Sequence, residues 1–98
     1  MSRRFGAVDP RIFVRAAMAR LVEQSRGPAR PLALAAVDQV PQLMTLGMTP
    51  SAALRESLRT TIVAARLRAR HCIGTERFAF DDLVNLCQET EARLDLMT

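Results

Sequence analysis

The 98-residue chain has no lysine, tryptophan or tyrosine, and it contains one histidine and two cysteines. Two cysteines are too few for the disulfide framework of a small secreted domain, and they lack the spacing of a zinc site. No apolar run approaches the roughly 20 residues that a membrane-spanning helix needs. The pair Arg3-Arg4 lacks the unbroken apolar stretch of an export signal. We therefore expect a cytoplasmic protein without a membrane span.

Residues suited to catalysis are equally scarce. His71 adjoins Cys72, but neighbouring helical residues point about 100° apart and cannot share one metal ion or form a nucleophile and its base. Asp81 and Asp82 suit the positive end of a helix better than a carboxylate dyad. No phosphate-binding glycine loop, nucleophile elbow or zinc-protease motif is present. We expect no enzymatic activity, metal or cofactor, and we interpret Cys72 and Cys87 as core residues.

Charge is distributed unevenly along the chain. All fourteen basic residues are arginine, whose planar guanidinium group is suited to binding carboxylates and phosphates. Residues 1–30 contain seven Arg and two acids, for a net +5, and residues 50–74 contain five Arg and one Glu, for a net +4. Residues 75–98 contain six acids and two Arg, for a net −4. The acidic end can therefore neutralise the basic segment, within a monomer or across a dimer, which competes with binding of an external ligand.

Start signals and apolar periodicity predict four helices. Asp9-Pro10 and Thr49-Pro50 each combine a capping side chain with a proline at the first helical position. The first helix should end near residue 26, the second should cover about 31–45, and the third should cover about 50–73. Pro41 should kink or divide the second helix. Phe78 and Phe80 alternate with polar or small residues, so a short extended piece before the last helix is an alternative.

Each predicted helix has apolar residues at intervals of three and four, which is typical of a buried stripe. Four such helices with short links predict an all-α fold, a compact bundle that forms a single domain over residues 1–98. The stripe is clearest on the long central helix. Its members there are Leu54, Leu58, Ile62, Ala65, Ala69 and Cys72.

The same central helix has a row of arginines along one edge, which we call the Arg row. Its four members fall within an arc of about 60° and span roughly 22 Å along the helix axis. The Arg row comprises Arg55, Arg59, Arg66 and Arg70. Leu32, Val63 and Leu67 are apolar residues surplus to a four-helix core, so we expect a homodimer or an obligate partner.

These features favour a non-enzymatic interaction module that binds a larger protein or ribonucleoprotein as a regulator, adaptor or inhibitor. In this hypothesis the surplus apolar residues supply contact and the Arg row sets orientation. The alternative is a nucleic-acid-binding regulator whose Arg row contacts phosphates. Residues 41–62 have the outline of a helix-turn-helix, but Gln42 and Glu56 occupy positions that should be apolar. A third possibility pairs the row with acidic residues of the last helix in a neighbouring copy, with candidates Asp81, Glu89, Glu91 and Asp95.

Overall fold

The computed structural model describes residues 9–97, which form four α-helices and one short 3₁₀ turn and include no strand. The predicted all-α bundle is therefore confirmed. The helices are α1 (Pro10–Gln24), α2 (Arg30–Thr45), α3 (Pro50–Ala69) and α4 (Gly74–Met97), and the 3₁₀ turn (Gly27–Ala29) joins α1 to α2. None of these helices is both long enough and apolar enough to span a membrane.

Both predicted helix starts are confirmed. Asp9 Oδ1 accepts a hydrogen bond of 2.9 Å from the Arg11 amide at the beginning of α1. Thr49 Oγ1 accepts one of 3.1 Å from the Ala52 amide at the beginning of α3. Each side chain satisfies one amide that has no partner within its own helix, and the proline that follows has no amide hydrogen to satisfy.

Helix α3 ends at Ala69, four residues before the predicted end at residue 73. Amides of His71 and Cys72 donate to carbonyl groups three residues back, at 3.0 and 3.2 Å, so the last turn is tighter than an α-helix. Gly74 follows with a φ of +65°, a conformation that favours glycine and ends the rod. Arg70, the last member of the Arg row, is therefore the C-cap of α3 rather than an interior residue.

For two further elements the structure excludes one of the predicted alternatives. Helix α2 is continuous through Pro41, so the proline does not divide it. Pro41 has no amide hydrogen to donate to the Val37 carbonyl one turn earlier, and packing of α2 against α3 outweighs that lost hydrogen bond. Helix α4 includes both Phe78 and Phe80, which excludes the extended piece before the last helix. Phe80 is buried whereas Phe78 is exposed, so their alternation reflects two sides of one helix.

The core is centred on α3, which packs most extensively against α4 on one side and α2 on the other. Leu54, Leu58 and Ala65 of α3 are almost completely buried. A buried hydrogen bond of 2.6 Å, donated by Ser57 Oγ to the Ala36 carbonyl, joins α3 to α2. Helix α3 therefore has one face committed to the core, and the opposite face is presented to solvent.

Candidate macromolecular interface on helix α3

The Arg row lies along an uninterrupted helix from Pro50 to Ala69 and reaches its C-cap. The predicted long central helix is thus present as one continuous element, although it is shorter than expected. The four guanidinium groups do not share one environment, because α4 packs beside α3 and carries acidic residues at only some positions. The row consists of a paired half, Arg55 and Arg59, and an open half, Arg66 and Arg70.

The paired half is held by carboxylates of the same chain. Arg55 forms ion pairs with Asp95 and, at 3.4 Å, with Glu91. Arg59 Nε donates to Glu91 Oε2 at 3.0 Å. The hydrogen bond to Asp95, with the nearby charges of both carboxylates, raises the pKa of Arg55 despite partial burial. Because the Glu91 side chain is only 20% exposed and contacts both arginines, this cluster fastens α3 to α4.

The open half has no such partners. Helices α3 and α4 are antiparallel, and the pairs Arg55–Asp95 and Arg59–Glu91 fix their register. Because the helices run in opposite directions, each step forward on α3 matches an equal step back on α4. Arg66 is seven residues after Arg59, so it lies level with Val84, which is seven residues before Glu91 and is uncharged. Further along the same edge of α4, Asp81 is 3.9 Å from Arg77. Arg66 and Arg70 are exposed, and neither forms an ion pair with any other residue in the range 9–97.

Two aliphatic side chains lie beside the open half. At 100° per residue, Val63 and Leu67 are each about 60° further round α3 than Arg66 and Arg70, on the side away from α4. Val63 is 59% exposed and Leu67 is 51% exposed. We call the surface formed by Arg66, Arg70, Val63 and Leu67 the open face.

Leu32, the remaining predicted contact residue, lies elsewhere. It is half-buried in α2 and packs against the core. Leu34, two positions along the same helix, is the more exposed residue at 45%. Within the predicted set, the structure therefore brings together Arg66, Arg70, Val63 and Leu67, leaves Leu32 outside, and ties Arg55 and Arg59 to α4.

Sequence reasoning treated the four arginines as equivalent and left open whether acidic residues of the same or a neighbouring copy would neutralise them. The signal for the intrachain pairing was present, because Glu91 and Asp95 are four residues apart and so are Arg55 and Arg59. Matching spacings predict complementary edges on two packed helices. The register of the hairpin, which decides which arginines meet the acids, depends on packing that the spacing does not specify.

The cysteines occupy different environments. Cys87 is completely buried in α4, and desolvation raises its pKa to about 12. Cys72 is half-buried in the link between α3 and α4 and packs against the core. Across residues 9–97, no three His, Cys, Asp or Glu side chains converge in a geometry that could hold a metal ion.

Comparison of the chain with protein-family models, with curated proteins and with solved structures finds no match. The open face is therefore interpreted from its own geometry and charge.

Proposed function

We propose that this protein is a non-enzymatic helical interaction module that docks on a larger protein or ribonucleoprotein, as a regulator, adaptor or inhibitor, through the open face of α3. One observation carries the proposal. The guanidinium groups of Arg66 and Arg70 are exposed and form no ion pair within residues 9–97. They adjoin Val63 and Leu67, whose side chains are more than half exposed. A protein partner that offers carboxylates and apolar side chains together would satisfy both halves of this surface.

The two kinds of residue make different contributions. Full burial of a Val or Leu side chain is worth about 2 kcal/mol, and roughly half of that remains for each of Val63 and Leu67. An exposed ion pair contributes about 0.2 to 1 kcal/mol. The aliphatic pair therefore supplies most of the affinity, whereas Arg66 and Arg70 set the orientation and the rate of encounter. Such a surface suits a regulated, reversible complex.

The paired half contributes indirectly. Arg55 and Arg59 fasten α4 to α3, and this keeps the central helix rigid where the open half projects. A rigid helix face lowers the entropy cost of binding, because its side chains are already placed. We therefore assign Arg55 and Arg59 to support of the surface and not to contact with the partner.

A nucleic-acid target is the second candidate, and one observation favours it. Arg66, Arg68 and Arg70 are all exposed within five residues, which is a local concentration of charge suited to phosphates. One feature weighs against it. Val63 and Leu67 would gain nothing from contact with a phosphate backbone.

A capture experiment with matched variants tests the proposal. Tagged protein is used as bait in nuclease-treated host lysate, and the bound proteins are quantified for wild type, Leu67→Asp, Arg66→Ala/Arg70→Ala and the control Leu34→Asp. We expect a specific protein to be lost with the first two variants and retained with Leu34→Asp, because Leu34 is exposed but lies on another helix. Equal capture by all four baits would overturn the proposal.

A homodimer is the alternative occupant of the open face, and it is tested separately. A second copy that covers Val63 and Leu67 would bury them without any other protein. Light scattering of wild type and Leu67→Asp distinguishes the cases, because a dimer built on the open face dissociates in the variant. The nucleic-acid candidate predicts instead that duplex DNA binds at low salt and that Arg66→Ala/Arg70→Ala flattens the salt dependence by about one unit per lost contact.

A further inference from the structure

The internal contact between α3 and α4 indicates what kind of element fits the open face. We infer that the partner presents an α-helix with two carboxylates four residues apart, flanked by apolar side chains, and that this helix lies antiparallel to α3. The inference rests on the proposed function and specifies the chemistry of its target.

The paired half provides the template. Arg55 and Arg59 are four residues apart, and they are bound by Glu91 and Asp95, which are also four residues apart on an antiparallel helix. Residues four apart on a helix lie on one face about 6 Å from each other, so the two spacings match along the contact. The molecule thus contains one complete example of an arginine pair recognised by an acidic pair.

The open half repeats the arginine side of this arrangement. Arg66 and Arg70 have the same four-residue spacing, and they follow Arg55 and Arg59 by eleven residues. Eleven residues at 100° each return to within about 20° of the starting direction, three turns further along. Since α4 presents Val84 at that level, the second arginine pair lacks the acidic pair that the first one has.

The positions of the aliphatic residues determine where the incoming helix lies. Val63 and Leu67 are rotated away from α4, so a helix that contacts them lies on the free side of the Arg row. Its carboxylates would face Arg66 and Arg70, and apolar residues three or four positions from each carboxylate would face Val63 and Leu67. The partner helix is therefore amphipathic, with acidic residues at the edge of its apolar stripe.

A second copy of this chain does not supply such a helix. Its sequence contains a single pair of acidic residues four apart, Glu91 and Asp95, and both members already form ion pairs with Arg55 in the same chain. The complement must come from a different protein. A phosphate backbone matches the charge of the arginines but not the adjoining aliphatic pair, so it satisfies half of the surface.

The test uses a designed peptide in place of the unidentified partner. A labelled, alanine-based helix of about eighteen residues carries two Glu four apart and Leu residues three positions after each, a length at which isolated helices become stable. Its control has the same composition with the two Glu two residues apart, which places them on opposite sides of the helix. Fluorescence anisotropy measures binding of both peptides to the whole protein.

We expect the matched peptide to bind about tenfold more tightly than its control, and we expect Arg66→Ala/Arg70→Ala to abolish that difference. Arg68→Ala provides the matched protein control, because Arg68 is exposed at the same end of α3 but points about 200° away from Arg66. All three arginines are exposed, so these variants should fold, and circular dichroism verifies that they do.

Equal binding of the two peptides, or an equal loss with Arg68→Ala, would overturn the inference. The capture experiment separates this failure from failure of the proposed function. If a lysate protein still requires Leu67 and the arginine pair, the docking module stands and only the acidic-helix partner is wrong. If duplex DNA binds with the same Arg66 and Arg70 dependence and the peptide does not, both are wrong.

Discussion

The two halves of the Arg row differ in their ion-pair partners. Arg55 and Arg59 at the N-terminal half of α3 meet Glu91 and Asp95, whereas Arg66 and Arg70 at the other end meet no carboxylate of residues 9–97. The arginines have the same type, spacing and helix face, so the difference comes from the neighbouring helix. Charge placement along α4 therefore divides the row into a structural part and a part available for binding.

The division of the Arg row is not visible in the net charges of the two segments that contain α3 and α4. Residues 75–98 carry a net −4 and residues 50–74 a net +4, so the two segments balance in sum, yet the ion pairs of the Arg row within residues 9–97 all involve the C-terminal end of α4. Helix α4 has Glu91 and Asp95 near its C-terminus, and at the other end Arg77 and Asp81 are near each other. The summed charge therefore does not show which arginines are paired and which are not.

The largest expected effect concerns the two thiols of the same hairpin. At pH 8 a pKa of about 12 leaves roughly one Cys87 thiolate in ten thousand, and the side chain is completely buried. Iodoacetamide should therefore modify Cys72 at least a hundredfold faster than Cys87, as measured by mass spectrometry over time. Comparable rates would show that the interior of α4 opens readily and that the paired half is not rigid.

Burial of Cys87 also has a defined pH dependence. Its pKa in the folded protein lies above the ordinary value of 9.0, so its stabilising contribution is complete below pH 9 and is lost as the pH rises toward 12. The thermal midpoint should fall across that range. Replacing Cys87 with alanine should flatten the fall, although the variant starts from a lower midpoint because of the cavity.

Substitutions on the buried face and on the exposed face of α3 should have very different effects on the free energy of unfolding. Leu58→Ala removes a completely buried side chain and should lower the free energy of unfolding by about 2 to 5 kcal/mol, whereas Leu67→Ala should change it by less than about 0.5 kcal/mol. Urea denaturation of both variants measures the contrast. A large loss with Leu67→Ala would mean that Leu67 belongs to the core and would remove it from the open face.

A smaller effect separates the two halves of the row directly. Glu91→Gln should lower the free energy of unfolding by about 1 kcal/mol, because Glu91 holds two arginines. In a double-mutant cycle, Glu91→Gln should couple to Arg59→Ala by about 0.5 kcal/mol and to Arg66→Ala by roughly zero. Equal coupling to both arginines would erase the distinction between paired and open halves.

The helix starts were more predictable from the sequence than the helix ends or the packing between helices. Capping at Asp9 and Thr49 was predictable because each cap is formed within three residues of the chain. The early end of α3 was not, since it depends on the tighter bonds made by His71 and Cys72. The continuity of α2 through Pro41 was not predictable either, because packing of α2 against α3 outweighs the local cost of the proline.

The candidate interface was anticipated in part for the same reason. Helical spacing identified the Arg row and the surplus of Val63 and Leu67, both of which are properties of one helix. The division of the row depends on which residues of α4 lie level with each arginine, and that register is set by interactions among buried side chains such as Phe80 and Leu83. Spacing within one helix contains no information about register with another.

The smallest expected effect extends the paired half by one position. Gln88 is an exposed residue of α4 that lies one helical turn from the level of Arg66 and about as far from that of Arg59, so Gln88→Glu would place a carboxylate between the paired half and the open half. Binding of the matched acidic peptide should weaken about twofold, in keeping with one exposed ion pair. Gln24→Glu, on α1, adds the same charge elsewhere and should leave affinity unchanged. If both variants weaken binding equally, repulsion between the added negative charge and the acidic peptide explains the loss, and pairing with Arg66 does not.

The division of the Arg row is tested most directly by nuclear magnetic resonance of arginine side chains in the ¹⁵N-labelled protein. Exchange of each Nε hydrogen with water is measured for all four members of the row at low temperature and at about pH 5.5, where exchange is slow and the carboxylates remain ionised. We predict slow exchange for Arg55 and Arg59, with acceleration in Glu91→Gln, and fast exchange for Arg66 and Arg70 in both proteins. Equal exchange rates for all four arginines, unchanged by the Glu91→Gln substitution, would contradict the division of the Arg row.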